Sequence, residues 1–222
     1  MQTIASPRGY LSPRNNYKII IVGGSGVGKS KIIKNFLGIC SDIDDPTIGV
    51  EFYSHIFNDN EKFLIWDLSG HRSFQKLIET YYNDVHGIIL VFDLTVKRSF
   101  DNISNWYQNI EKKTMNLNKK HILLLGNKVD KSNRMISSED AQKYADDHNM
   151  IYCEVNYKSA IIPINMYFEK IINKPINNKN YFNCINERTS KVNDYINFTD
   201  ICLQDNNINE YNEKKCKCCS LM

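Results

Sequence analysis

The sequence predicts a doubly wound α/β domain: a mostly parallel six-stranded sheet with helices on both faces and one antiparallel edge strand. Three observations carry that prediction. Six apolar runs alternate with stretches of helical spacing, the pattern of parallel strands joined by crossover helices. Most of the runs stay hydrophobic through their central residues, as strands covered on both faces must. The polar turn Asn58-Asp59-Asn60-Glu61 is too short for a helix, so it joins the second and third runs as a hairpin and sets one antiparallel strand at an edge.

The strands are expected at residues 17–22, 50–57, 62–67, 87–93, 121–126 and 150–155. Helical spacing occupies 30–37, 74–83, 99–113, 137–148 and 164–172. A chain of 222 residues has room for one core with flanking segments. Hydrophobic residues make up 42% of it, enough for a sheet with two covered faces, while a net charge of +3 is too small for a nucleic-acid footprint. Neither a membrane-length apolar run nor the apolar stretch of a secretion signal is found, which points to the cytosol. Cys40, Cys153, Cys184 and Cys202 lie far apart and three more cysteines crowd the last seven residues, so free thiols are expected. From Lys174 onward eleven of 49 residues are Asn and no periodicity persists. Residues 1–16 are expected to be a disordered arm, 17–173 the folded domain and 174–222 a flexible tail.

The first functional motif is Gly23-Gly24-Ser25-Gly26-Val27-Gly28-Lys29-Ser30, which follows an apolar strand and opens a helix. That context is what the phosphate-binding G-x-x-x-x-G-K-[ST] pattern requires. Glycines let the backbone wrap closely around phosphate oxygens, the N–H groups from Ser25 to Ser30 attract negative charge, and Lys29 can reach the β- and γ-phosphates. Ser30 is placed to ligate Mg²⁺. In isolation the same residues would be a glycine-rich turn with an exposed lysine. This loop leaves the base of the nucleotide open, and Asn127-Lys128-Val129-Asp130 chooses it. That tetrapeptide follows the strand at 121–126, at the carboxyl end where open α/β sheets bind ligands. The Asp130 carboxylate can accept from both N1–H and the exocyclic amine of guanine, a donor pair that adenine lacks.

Three further segments complete a pattern. Thr47-Ile48-Gly49-Val50-Glu51-Phe52, Trp66-Asp67-Leu68-Ser69-Gly70 and Glu154-Val155-Asn156-Tyr157-Lys158 stand in the order and spacing of a switch I signature, a W-D-T-A-G motif and an E-T-S-A-K motif. Over residues 17–172 the chain therefore resembles the Ras superfamily and, within it, the Rab family of small G proteins with the P-loop NTPase fold. The run 127–158 looks nearest to the subgroup associated with endoplasmic reticulum and lipid droplets. The resemblance implies a GTP/GDP-dependent membrane-trafficking switch. Thr47 would offer its hydroxyl to Mg²⁺ and its N–H to the γ-phosphate, Asp67 would hold the metal through water, and Gly70 would present its N–H to the same phosphate. Asn127, Lys128, Asp130, Tyr157 and Lys158 would surround guanine. Lys29, Thr47, Gly70 and His71 would form the hydrolytic set, and Phe52, Trp66 and Tyr81 the aromatic surface that effectors read. Implied partners are effectors, an exchange factor, a GTPase-activating protein, and prenylation and membrane-extraction chaperones, all meeting a monomer.

Two departures bear on rate. His71 stands where the family has a water-orienting Gln, and an imidazole places its donor and acceptor on a rigid ring. Slow unaided hydrolysis is expected, which an activating protein could relieve. The stretch between Lys29 and Thr47 is about one residue shorter than in the family, and the aromatic that packs against guanine there is replaced by Ile39 or Cys40. Faster nucleotide release is expected. Tyr157 replaces the small residue of the third guanine loop.

The chain ends Cys216-Lys217-Cys218-Cys219-Ser220-Leu221-Met222, which fits both C-a-a-X prenylation at Cys219 and the paired-cysteine ending of Rabs, with lipid on Cys218 and Cys219. Two chains would anchor stably where one binds reversibly. Residues 174–215 carry six basic and six acidic side chains, so little polybasic attraction to anionic lipid is expected. The expected location is the cytosol and the cytoplasmic face of an intracellular membrane, the endoplasmic reticulum or a related compartment. Two alternatives stand beside the switch: a hydrolysis-deficient GTP-binding adaptor, prompted by His71, and a P-loop ATPase or small-molecule kinase, against which Asn127 and Asp130 argue.

Overall fold

The computed structural model describes residues 15–39, 45–57, 60–115, 117 and 121–172. Both outer segments of the expected organisation, including Cys218 and Cys219, lie outside the described residues, apart from Asn15 and Asn16 at one end. Cys40 and the Asn58-Asp59 part of the hairpin turn lie outside them as well.

Six strands form one sheet: β1 (Asn15–Val22), β2 (Val50–Ile56), β3 (Glu61–Leu68), β4 (Gly87–Asp93), β5 (His121–Asn127) and β6 (Ile151–Val155). Their spatial order is β2-β3-β1-β4-β5-β6, with β2 antiparallel at one edge and every other pairing parallel. This is the architecture the sequence predicts. The hydrophobic run of β4 is buried at every residue because it lies between β1 and β5 with helices over both faces. Asn15 and Asn16, expected in the disordered arm, instead pair with Glu61 and Lys62 as the start of β1. The exposed polar end of a strand has no hydrophobic signature, so it was invisible to a reading based on apolar runs.

Successive strand residues face opposite sides. Ile19 and Ile21 of β1 join Ile89 and Val91 of β4 under helices α1 (Lys29–Phe36) and α6 (Ile161–Ile172). Ile20 and Val22 join Leu90 and Phe92 on the other face, under α4 (Ile103–Lys113) and α5 (Ser138–Asp147). Phe63 and Phe168 stack at 3.8 Å between ring centres and tie β3 to α6. Ser137 caps α5 by accepting from the Asp140 N–H, with Glu139 and Asp140 against the positive end of the helix dipole.

Three helical expectations are corrected. The stretch 74–83 is not one helix: a single helical turn over Arg72–Phe74, a four-residue helix α2 (Gln75–Ile78) and another turn over Glu79–Tyr81 replace it. Only Ile78 of α2 is buried, too little apolar face to stabilise a longer helix. The stretch 99–113 breaks at Asn102 into α3 (Lys97–Asp101) and α4. The Ser104 hydroxyl donates to the Asp101 carbonyl there and competes with the regular ladder, while the Asn105 amide donates to the Asn102 side chain. Helix α6 starts at Ile161, ahead of Pro163, because a proline in the first turn removes an N–H that has no helical partner anyway.

Candidate functional site

Parallel pairing puts the carboxyl ends of β1, β3, β4, β5 and β6 along one edge, and antiparallel β2 presents its amino end there. All five motifs therefore converge on one end of the sheet. The chain reverses direction across β1, passing from β3 on one side to β4 on the other, and the crevice at such a switch point is where open α/β sheets bind ligands.

The loop after β1 is shaped by close approach. Gly28, at a φ of 98°, heads α1, and a Cβ there would meet the Asn127 amide nitrogen at 2.3 Å. That amide donates to the Val27 carbonyl at 2.8 Å, fastening β5 to the loop, while Asn127 Oδ1 is buried with no partner. Lys29, 6% exposed, points its Nζ back across the loop and donates to the carbonyls of Gly23 and Gly24 at 3.0 and 2.9 Å. Burial lowers its pKa from 10.5 to about 8, with the Asp67 charge pulling the other way. A buried ammonium held by carbonyl dipoles at a helix N-terminus is a ready partner for anionic oxygen.

Beside it the structure gathers the three oxygens expected to bind metal. Ser30 Oγ and Thr47 Oγ1 lie 2.7 Å apart, and Thr47 Oγ1 donates to Asp67 Oδ2 at 3.5 Å. Asp67 is fully buried, and burial raises its pKa against the hydrogen bond from Ser30 and the charge of Lys29. Its Oδ1 is buried without a hydrogen-bond partner. Two hydroxyls and a carboxylate with an orphaned oxygen are the donor types of a hard divalent cation. Gly70 lies against the loop: a Cβ on it would stand 2.3 Å from the Gly24 carbonyl carbon and 2.4 Å from the Ser25 nitrogen.

At the other end of the crevice, Lys128 adopts a left-handed φ of 68°, and its Nζ reaches Gly26 O at 3.1 Å and Asp93 Oδ2 at 2.7 Å. Asp93 was missed in the sequence. Burial would raise its pKa, but hydrogen bonds from Lys128 and Thr95 outweigh burial and hold it below the usual carboxylate range. Its signal was its place as the last residue of a buried strand, opposite Asn127 in register. Val129 N–H donates to Val155 O at 3.2 Å, joining the loop after β5 to the end of β6, and Asp130 is exposed on the following turn. The Asn156 side chain accepts from the N–H groups of Lys158 and Ser159, both at 2.9 Å, which shapes the loop carrying Tyr157 and Lys158. Arg134 forks onto Glu154 at 2.5 and 2.7 Å and holds the two base-end loops together from behind.

His71 is exposed, and its Nδ1 is engaged with Ser73, accepting from its N–H and meeting its hydroxyl, so the ring caps the turn that follows. Phe52, Trp66 and Tyr81 form a continuous row, with ring centres 4.6 and 4.9 Å apart, and Phe52 is half-exposed. Tyr157 lies under Lys31, a contact the sequence did not suggest. Among the described residues no helix is long and apolar enough to cross a membrane.

The fold and the glycine-rich loop after β1 define a small G protein of the P-loop class, with its sequence motifs gathered at one end of the sheet. The model of the Ras family matches residues 18–178. Similar proteins include the Ras-related protein Rab-1 of Theileria parva, 41% identical over 150 residues that cover 64% of this chain and 67% of that one. The Ras-related protein Rab-18 of Caenorhabditis elegans is 34% identical over 172 residues, 74% of this chain and 82% of that one. Rab-18-B of Danio rerio is 35% identical over 164 residues, 71% and 78% of the two chains. The chain belongs to the Ras family, in its Rab branch, and is a small GTPase of membrane trafficking.

Proposed function

We propose that the protein cycles between GTP and GDP with Mg²⁺ and recruits effectors through the row Phe52, Trp66 and Tyr81 when GTP is bound. In this reading Ser25 to Ser30 cradle the phosphates and Lys29 holds the β- and γ-oxygens. Ser30, Thr47 and Asp67 hold the cation, and Asn127, Lys128, Asp130, Tyr157 and Lys158 hold guanine. Bound Mg²⁺ would neutralise charge on the β- and γ-phosphate oxygens. The observation that carries the reading is the buried Lys29 ammonium beside an Asp67 whose Oδ1 has no partner, two charges awaiting a phosphate and a cation. Loss of the γ-phosphate would free Thr47 and Gly70 and release the effector surface.

Prenyl lipid on Cys218 and Cys219 would keep the domain of residues 17–173 on the cytoplasmic face of an intracellular membrane, with 174–222 as the link. The resemblance carried by residues 127–158 would make that membrane the endoplasmic reticulum or a related compartment. An exchange factor, an activating protein and prenylation and extraction chaperones would act on it as a monomer. A second reading, a hydrolysis-deficient adaptor, is favoured by the engagement of His71 with Ser73. Single-turnover hydrolysis separates the two. The switch reading expects slow wild-type hydrolysis, acceleration on the order of tenfold or more in His71→Gln, and turnover with an activating protein. No turnover under any of these conditions would leave the adaptor. Equal competition by ATP and GTP would refute both.

A further inference from the structure

We infer that Lys31 and Tyr157 form a clamp that ties the phosphate end of the site to its base end and slows nucleotide release; the inference rests on the guanine-nucleotide reading above. Lys31 sits one helical position beyond Ser30 on α1, the helix whose first residue reaches back over the phosphate loop. Tyr157 belongs to the loop after β6, at the opposite end of the crevice. The Lys31 Nζ lies 4.9 Å from the centre of the Tyr157 ring, within the range of a cation–π contact, and Lys158 Nζ lies 5.8 Å from the same centre. The ring is half-buried and packs against the core face under α1 and α6, so its position is set before any nucleotide arrives.

The physical consequence is mechanical. Nucleotide release requires the phosphate loop and the base loops to part, and these lie at opposite ends of the crevice along the carboxyl end of the sheet. The hydrogen bonds of Asn127 and Lys128 join the loop after β5 to the phosphate loop. The third base loop reaches α1 through the Tyr157 ring, which a small residue at this position could not supply. Tyr157 would thereby offset the loosening expected from the shortened segment before Thr47, where Ile39 or Cys40 stands in place of an aromatic.

The test is release of a fluorescent GDP analogue from the full-length chain into excess GDP. Lys31→Met is expected to speed release about two- to fivefold, the scale of one exposed cation–π contact. Tyr157→Ala should do at least as much, and the double variant should match Tyr157→Ala alone. Lys31→Arg, which keeps a cation over the ring, should restore slow release, an outcome that loss of packing alone would not produce. Wild-type rates in Lys31→Met, or additive effects in the double variant, would overturn the clamp while the chain still binds guanine nucleotide. A wild-type chain that takes up no guanine nucleotide would overturn the function and the clamp together.

Discussion

Burying the Lys29 ammonium costs the nucleotide-free protein stability, and the cost can be read as a pH slope. Its pKa falls from 10.5 to about 8 in the folded chain, a difference equivalent to about 3 kcal/mol when the group is charged in both states. The unfolded chain binds the proton more readily between those values, so stability rises with pH across that window and the penalty is fully present below it. Going from pH 7 to 9.5 should recover about 2 kcal/mol. The perturbation is Lys29→Met, which removes the charge and keeps the length. The assay is urea unfolding of nucleotide-free wild type and variant at both pH values, followed by fluorescence of Trp66 and Trp106. Titrating groups away from Lys29 are shared by both chains and cancel in the comparison, whereas Asp67 loses the support of the Lys29 charge in the variant and is followed separately through Lys29→Met in an Asp67→Asn background. The wild type should gain about 2 kcal/mol relative to Lys29→Met over this range. Saturation with GDP should abolish the difference in slope, because the phosphates hold the ammonium charged in the folded state. Parallel slopes for the two nucleotide-free chains would refute the argument.

Gly70→Ala would drive its Cβ to within 2.5 Å of the Gly24 and Ser25 backbone, where no flexible side chain can yield. The segment must then stand off from the phosphate loop, and the variant should keep GDP affinity but lose the affinity difference between GTP and GDP, measured by equilibrium titration. Tyr167→Phe removes a fully buried hydroxyl that accepts from Ile88 N–H at 2.7 Å and lies 3.0 and 2.7 Å from the carbonyls of Ile88 and His121. The midpoint of urea unfolding should fall by the equivalent of about 1–3 kcal/mol, the cost of leaving a buried donor unsatisfied.

Much of this protein is legible along the chain because its functional groups come as short contiguous motifs. Gly23 to Ser30, Asn127 to Asp130 and Trp66 to Gly70 each combine a strand end with the residues that follow it, so local context sufficed to place them. The sheet was legible for the same reason: β4 and β5 are buried on both faces and carry unbroken apolar runs. Elements whose stability comes from elsewhere were not. The stretch 74–83 has helical spacing but little buried surface, and α6 begins at Ile161, ahead of Pro163 and of the start expected at residue 164.

Apolar periodicity and motif chemistry, written into consecutive residues, established the doubly wound sheet, the phosphate loop and the preference for guanine. Packing alone decided which distant groups meet: Lys31 over Tyr157, Asp93 under Lys128, and the Asp67 oxygen without a partner beside a buried Lys29. The division has one physical cause. Apolar periodicity and local backbone preference are carried by neighbours in the chain, while charge pairing and ring contacts depend on distances that exist only after the sheet has brought its carboxyl ends together.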